Sequence, residues 1–338
     1  MKDSTFRRLP RSFTAYEWAM STSEVARIAK TNPRRVLRFD GNVPPDTPEY
    51  ARSATIATAL NEIHRYPHGG FPALVDAIAK YSGADSSQVV LGAGADDLIL
   101  LVARSFAGPG DAVRVLDEPT YPLFRIAAWL AGADVMDDDA VVTFLCRPHN
   151  PTGALQPIPD YRPLVVDEAY FEYCGDTAAG LIGDRVVVIR TFSKAFGLAG
   201  ARIGYALADV ETAWELRVRQ DPLPVTSLSA ALALAALRNT PDVRPQLEER
   251  ERFAARLREL GYDPLPSHAN FLYVPMDDAH ETYEQLLRRA LVVRPFKDAI
   301  RITVNTPSAN ERLLEALASP GTSGRHHAQS RAGHMGSS

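Results

Sequence analysis

Thr191-Phe192-Ser193-Lys194-Ala195-Phe196-Gly197-Leu198-Ala199-Gly200-Ala201-Arg202-Ile203-Gly204-Tyr205 sets one lysine among small and apolar residues, with a serine before it and an arginine beyond. An ammonium in apolar surroundings is costly unless it has a partner or a covalent task. The task that fits is a Schiff base with an aldehyde cofactor that also carries a phosphate. Lys194 would supply the amine, and Ser193 and Arg202 would hold the phosphate.

Upstream of this stretch the chain alternates between helix-like and strand-like segments. Ala95 to Phe106 and Leu123 to Ala131 have helical character, while Val89 to Leu91, Ala112 to Leu116, Val141 to Cys146, Leu164 to Val166 and Val186 to Ile189 are apolar runs. Uninterrupted apolar, β-branched-rich runs suit strands covered on both faces of a mostly parallel sheet, so an α/β layered fold is expected. Past Pro222 and Pro224 the character changes. Helices over Ser227 to Leu237, Gln246 to Leu260, Glu281 to Ala290 and Ala309 to Ala318, with strands near Phe271, Leu291 and Ile300, predict a smaller α+β unit. A first helix is expected over Phe13 to Ala29, and after Leu37-Arg38-Phe39-Asp40-Gly41-Asn42 the Val43-to-Pro48 stretch reads as loop. The expected division is an arm over 1–40, a large domain over 41–235, a small domain over 236–318 and a disordered tail over 319–338.

The 338 residues are 46% hydrophobic and 23% charged, with a formal net charge of -4, which gives no electrostatic reason to expect nucleic acid or a membrane surface as partner. Cys146 and Cys174 are too few for a disulfide framework. No run has the length of a membrane span, and a soluble cytoplasmic protein is expected. Histidines 326, 327 and 334 in the tail could chelate a metal in principle, but a disordered tail is the better reading.

Ligands of open α/β sheets bind beyond the carboxyl ends of the strands, and chemically distinctive segments lie at such ends. Gly92-Ala93-Gly94-Ala95-Asp96-Asp97 opens a helix whose first amides suit an anion; a plain capped turn is the alternative. Glu118-Pro119-Thr120-Tyr121-Pro122 offers a ring to stack on a heterocycle, or merely to pack. His149-Asn150-Pro151-Thr152-Gly153 offers an amide, or simply a turn. Val165-Val166-Asp167-Glu168-Ala169-Tyr170 ends a strand with two acids. Asp167 beside a ring nitrogen would keep it cationic, whereas adjacent strand residues point to opposite faces and argue against a shared metal.

Together these segments resemble the fold-type-I aminotransferases that use pyridoxal phosphate, from about residue 37 to 317. The Arg-Tyr-Pro, Asn-Pro-Thr-Gly, Asp-Glu-Ala-Tyr and Ser-Lys-Ala-Phe-Gly-Leu-Ala-Gly segments resemble the histidinol-phosphate aminotransferase branch. The resemblance implies a three-layer fold with a mostly parallel central sheet and a smaller α+β domain, and transfer of an amino group between an amino acid, or an amino-alcohol phosphate such as histidinol phosphate, and a 2-oxo acid. It implies that Lys194 forms the Schiff base and shuttles the proton at the substrate Cα. Asp167 pairs with the pyridine nitrogen, Asn150 and Tyr170 with the phenolic oxygen, and Tyr121 stacks on the ring. Amides of Ala95 and Asp96, with Ser193 and Arg202, hold the phosphate.

Tyr66 matches a tyrosine that reaches the phosphate from the other subunit of a homodimer, with the N-terminal helix packing across the interface. Arg301 matches the arginine that grips the substrate's anionic group, and Arg294 a second arginine of histidinol-phosphate enzymes; a solvated surface charge is the alternative for Arg294. The chain departs from the family at Asp40-Gly41-Asn42-Val43-Pro44-Pro45, where Asn42 keeps part of the usual lid motif. It is also shortened between Gly132 and Val141, Gly153 and Leu164, and Arg294 and Arg301. A decarboxylase of a phospho-amino acid, of the threonine-phosphate type, shares the motif set and stays open. A regulator built on the same fold would need a DNA-binding domain for which the N-terminal segment is too short and too weakly basic.

Overall fold

The computed structural model describes residues 9–319 apart from 11–12, 17–18, 53 and 68. The tail expectation, with its three histidines, and the start of the arm lie outside the described residues.

In chain order the elements are α1 (Thr22–Ile28), β1 (Leu37–Arg38), α2 (Ala54–Asn61), α3 (Pro72–Ser82), β2 (Val89–Gly92), α4 (Ala95–Phe106), β3 (Ala112–Val115), α5 (Leu123–Ala131), β4 (Asp134–Val135), β5 (Ala140–Cys146), β6 (Leu164–Asp167), α6 (Phe171–Cys174), β7 (Val186–Thr191), β8 (Gly204–Leu207), α7 (Val210–Arg219) and α8 (Ser227–Arg238). They continue through α9 (Arg244–Glu259), β9 (Phe271–Pro275), α10 (Ala279–Arg288), β10 (Leu291–Val292), β11 (Arg294–Pro295), β12 (Ala299–Thr303) and α11 (Pro307–Ala318). Among the described residues no helix is long and apolar enough to cross a membrane.

A seven-stranded sheet runs β2-β8-β7-β6-β5-β3-β4, parallel except for β8, which is antiparallel to both its neighbours. Its central strands are apolar on both sides because both sides are covered. On β6, Val165 packs into the core shared with α4, α5 and α7, while Leu164 and Val166 face the core shared with α3 and α8. This is the α/β architecture with a mostly parallel sheet, in three layers.

A second sheet, β11-β12-β9, is antiparallel and shares a third core with α9, α10, α11 and Phe39. β1 joins this part of the molecule by parallel pairing with β10, Leu37 opposite Leu291.

The structure corrects several expectations. The first helix is not the long Phe13-to-Ala29 segment: α1 starts at Thr22, where Ser21 and Glu24 form a reciprocal capping box. Leu37 and Arg38, assigned to no element by the sequence, are strand through a partner some 250 residues away. The acidic turn after Gly132 begins with the short edge strand β4. α7 is an additional helix, capped by Asp209 on the Thr212 amide.

Candidate active site

β5, β6 and β7 end side by side, and the residues after them converge. Asp167 is the last residue of β6, with Cys146 opposite on β5 and Ile189 on β7. The loop after β7 turns back at once: the Phe192 amide bonds the Ile203 carbonyl, the Leu198 amide the Phe192 carbonyl and the Gly197 amide the Lys194 carbonyl. Phe192 and Phe196 are buried, with rings 5.0 Å apart, and anchor this loop. Lys194, between them, projects from a rigid turn.

The Lys194 amine donates to the Gly41 carbonyl at 3.2 Å and lies 5.7 Å from the centre of the Tyr170 ring. Burial pushes its pKa down to about 8, helped by the Arg301 guanidinium and opposed by Asp96 and Asp167. At pH 7 roughly a tenth of such amines are neutral, far more than at the ordinary lysine value. Asp167 is buried and pushed up to about 7, because its carboxylate has little to replace water besides the Ala169 amide at 3.1 Å. Lys194 and Asp167 are both poised near neutrality, a pattern common at functional sites.

At one end of the cleft, α4 opens after β2. Gly94 has φ +88°, and a Cβ there would come within 2.8 Å of the Arg202 Nη2. Arg202 pairs with Asp96 at 2.9 Å, and Asp96 also accepts the Tyr121 hydroxyl at 2.8 Å. The Thr191 hydroxyl accepts from the Ser193 amide and donates to the Ser193 hydroxyl at 2.9 Å, leaving the Ser193 proton free to point elsewhere. Gly204 on β8 admits no side chain: a Cβ would meet the Arg190 carbonyl at 2.7 Å and the Ala95 amide nitrogen at 3.1 Å. That close approach brings the first turn of α4, whose amides lack intrahelical partners, against the β7–β8 pair. The result is a cup of N–H and guanidinium donors.

At the other end stands Arg301 on β12. It is buried, donates to Asn150 Oδ1 and to the Asp40 carbonyl, and leaves its Nε without a partner. Asn42 is buried with φ +51° and donates its amide to the Tyr170 hydroxyl at 3.0 Å. Hydrogen bonds and electrostatic contacts thus join Lys194, Asp167, Asn150, Tyr170, Tyr121, Asp96, Arg202, Asn42 and Arg301 into one cluster, with Ala95 and Ser193 next to Asp96 and Lys194 in the chain. Arg294 is half-buried on β11, in register with Arg301. Tyr66 is 78% exposed and makes no contribution to this cleft within its own chain.

A family profile described as "Aminotransferase class I and II" matches residues 34–317. The chain belongs to this family. It is a pyridoxal-phosphate-dependent aminotransferase, like histidinol-phosphate aminotransferase. Two relatives named histidinol-phosphate aminotransferase, from Staphylococcus haemolyticus and Staphylococcus aureus, are each 33% identical to it. The alignments cover 76% and 78% of this chain and 84% and 85% of theirs. The histidinol-phosphate aminotransferase of Sinorhizobium meliloti, solved with pyridoxal-5'-phosphate, superposes with a TM-score of 0.82 at 24% identity, over 93% of this chain and 97% of that one. The L-threonine-O-3-phosphate decarboxylase of Porphyromonas gingivalis shares the fold at a TM-score of 0.74 and 21% identity, over 83% and 98%.

Several residues around this aminotransferase's cleft received no role from the sequence, although Asn270 lies in an Ala-Asn-Phe segment similar to one of the histidinol-phosphate aminotransferase branch. Glu168, the second acid of the Asp-Glu pair, is buried against Arg190 at 3.0 Å, with Thr177 and the Ala178 amide completing its shell. His149 braces the Asn150 turn, with one ring nitrogen 2.8 Å from the Thr152 hydroxyl and the other 2.9 Å from the Asp117 carbonyl. Asn270 and Thr303 hold Asn42. For Glu168 and Thr303 the signal is polarity inside otherwise apolar segments, and His149 and Asn270 stand inside motifs of the resemblance.

Proposed function

We propose that the enzyme transfers an amino group between an amino acid, or an amino-alcohol phosphate such as histidinol phosphate, and a 2-oxo acid, with the cofactor held in the cleft built around Lys194. The observation that carries this reading is the buried Arg301 with its unpaired Nε, at the end of the cleft opposite the donor cup. A guanidinium nitrogen left without a partner there suits a substrate carboxylate or phosphate.

The residues fit the cofactor. The Gly94 turn, where a Cβ would come within 2.8 Å of Arg202, and the first amides of α4, together with Ser193, suit a phosphate. Asp167 is a buried acid short of a cationic partner. When bound, pyridoxal phosphate supplies an aldehyde carbon that takes the amino group and a ring that takes up electron density from the substrate Cα. In this reading Asp167 keeps the ring nitrogen protonated, Asn150 and Tyr170 donate to the phenolic oxygen, and Tyr121 stacks on the ring. The Ala95 and Asp96 amides, Ser193 and Arg202 hold the phosphate. Lys194, with its amine partly neutral, moves the proton at the substrate Cα. Asn42 lies over the substrate, and Arg294 receives a second anionic group.

The exposed Tyr66 supports a homodimer in which this residue reaches the partner's phosphate cup. A cytoplasmic setting and the division into an arm over 1–40 and domains over 41–235 and 236–318 belong to the same proposal. Separate hydrophobic clusters support that division. The experiment that tests the function is a panel of single half-reactions: donors including histidinol phosphate, glutamate and aromatic amino acids are mixed with the loaded enzyme, and loss of the cofactor's visible band is followed. A panel in which no amino donor changes the band would sink the transaminase reading.

A further inference from the structure

Thr303 lies two residues beyond Arg301 on β12, and alternate strand residues share a face. It does not face the cleft directly; Asn42 stands between. The Asn42 backbone amide donates to the Thr303 hydroxyl at 2.9 Å, and that hydroxyl donates its one proton to Asn42 Oδ1 at 2.9 Å. With Oδ1 engaged, Asn42 Nδ2 faces Tyr170 and donates to its hydroxyl oxygen at 3.0 Å. The Asn42 carbonyl is tied from the other side by Asn270 at 3.1 Å. Thr303, Asn42, Asn270 and Tyr170 are all buried, so no water competes for these bonds.

The direction of this chain matters. A hydroxyl that accepts from an amide N–H keeps its own proton for another acceptor. If the Asn42 amide were reversed, Oδ1 would take the Tyr170 proton instead. We propose that Thr303 is a positioning residue: by fixing the orientation of the Asn42 amide it keeps the Tyr170 proton available for the phenolic oxygen of the cofactor. The inference rests on the proposed role of Tyr170. It also means that β12 serves both donors to that oxygen, since Arg301 on the same strand holds Asn150. The charged and titratable groups around Tyr170 are Arg301 on β12, Asp167 on β6, Cys146 on β5, Tyr173 on α6 and Lys194 on the loop after β7.

The test is the pH midpoint of the visible band of the protein loaded with pyridoxal phosphate. A Tyr170 hydroxyl that no longer donates fully leaves the phenolic oxygen more negative, and the proton beside it is held to higher pH. Thr303→Val is expected to move the midpoint up by about 0.5 pH unit or more, and Thr303→Ser, which keeps the hydroxyl, to leave it at the wild-type value. In a Tyr170→Phe background Thr303→Val is expected to add nothing. If Thr303→Val does not fold, Thr303→Ala, which also deletes the hydroxyl and leaves Asn42 in place, is expected to give the same upward shift. A Thr303→Val or Thr303→Ala midpoint equal to wild type, or a shift that persists without the Tyr170 hydroxyl, overturns the positioning role alone. A wild-type protein with no visible band, or a band that survives Lys194→Ala, overturns the reading of the cofactor site instead.

Discussion

Arg190 Nε lies 3.0 Å from Glu168 Oε2, both side chains are buried, and the pair stands directly behind Asp167. The guanidinium also sits 3.6 Å over the Phe171 ring and donates to Thr177. Removing one partner leaves an uncompensated charge in a dry place. Arg190→Met is therefore expected to destabilise the fold by about 3–5 kcal/mol, measured by urea unfolding. A loss below about 1 kcal/mol would show that the pair is not holding the end of β6.

The cofactor-free protein has a stability profile set in part by two groups. Asp167, raised to about 7, favours the folded state most when protonated, so its contribution is full below pH ~4 and is lost as pH rises towards 7. Lys194, lowered to about 8, contributes stability above pH ~10.5 that is lost as pH falls towards 8. Together they put the weakest point between pH 7 and 8. Melting temperature against pH is expected to fall less steeply from pH 4 to 7 in Asp167→Asn than in wild type. A cationic ring nitrogen beside Asp167 offsets the loss, so adding pyridoxal phosphate is expected to raise the melting temperature more at pH 8 than at pH 5.

Gly94→Ala combines an unfavourable positive φ with a Cβ 2.8 Å from Arg202. The backbone cost alone is about 1–3 kcal/mol, because φ +88° with ψ 176° is essentially a glycine-only conformation, and the guanidinium must also move. Affinity for pyridoxal phosphate is expected to fall about tenfold or more, measured by spectroscopic titration. Unchanged affinity would place the phosphate elsewhere.

Arg301 and Arg294 are separable. Arg301→Gln is expected to lower kcat/KM about 100-fold for every donor bearing a carboxylate, the scale of a lost charge-assisted contact. Arg294→Gln is expected to leave amino acids nearly untouched and to penalise a phosphate-bearing donor. Equal losses for both donor classes in Arg294→Gln would remove Arg294 from the substrate site.

Transamination and decarboxylation differ in which bond at Cα is broken. A half-reaction with a phospho-amino acid is expected to yield a keto product and no carbon dioxide. Stoichiometric gas release without keto product would instead favour the decarboxylase alternative.

The central sheet was legible because β5, β6 and β7 are continuous apolar runs, which only strands covered on both faces require. The cleft was legible because Lys194, Asp167, Asn150 and Arg202 follow strand ends, where a parallel sheet collects them. Other features left weak local traces. β8 reads Gly-Tyr-Ala-Leu, with no β-branched residue, and owes its place to two antiparallel partners. α1 was drawn too long because helical spacing outweighed the Ser21–Glu24 cap. Leu37 and Arg38 form a strand only because Leu291 and Val292 lie beside them, a fact no window of sequence contains. Glu168 and Thr303 act through neighbours, and an acid or a threonine on a strand carries no mark of what it will touch.

The β1–β10 pairing sets an order on synthesis. The segment that receives the Lys194 amine, residues 40–42, leaves the ribosome early, yet β1, which leads into it, has no strand partner until residues 291 and 292 follow. A nascent chain halted after Leu237 contains every strand of the seven-stranded sheet and the lysine itself. It lacks Arg301, Thr303 and Asn270, and with them the grip on Asn42. The reactive amine is thus made long before the parts that enclose it, and the centre is completed only as the last tenth of the described chain emerges.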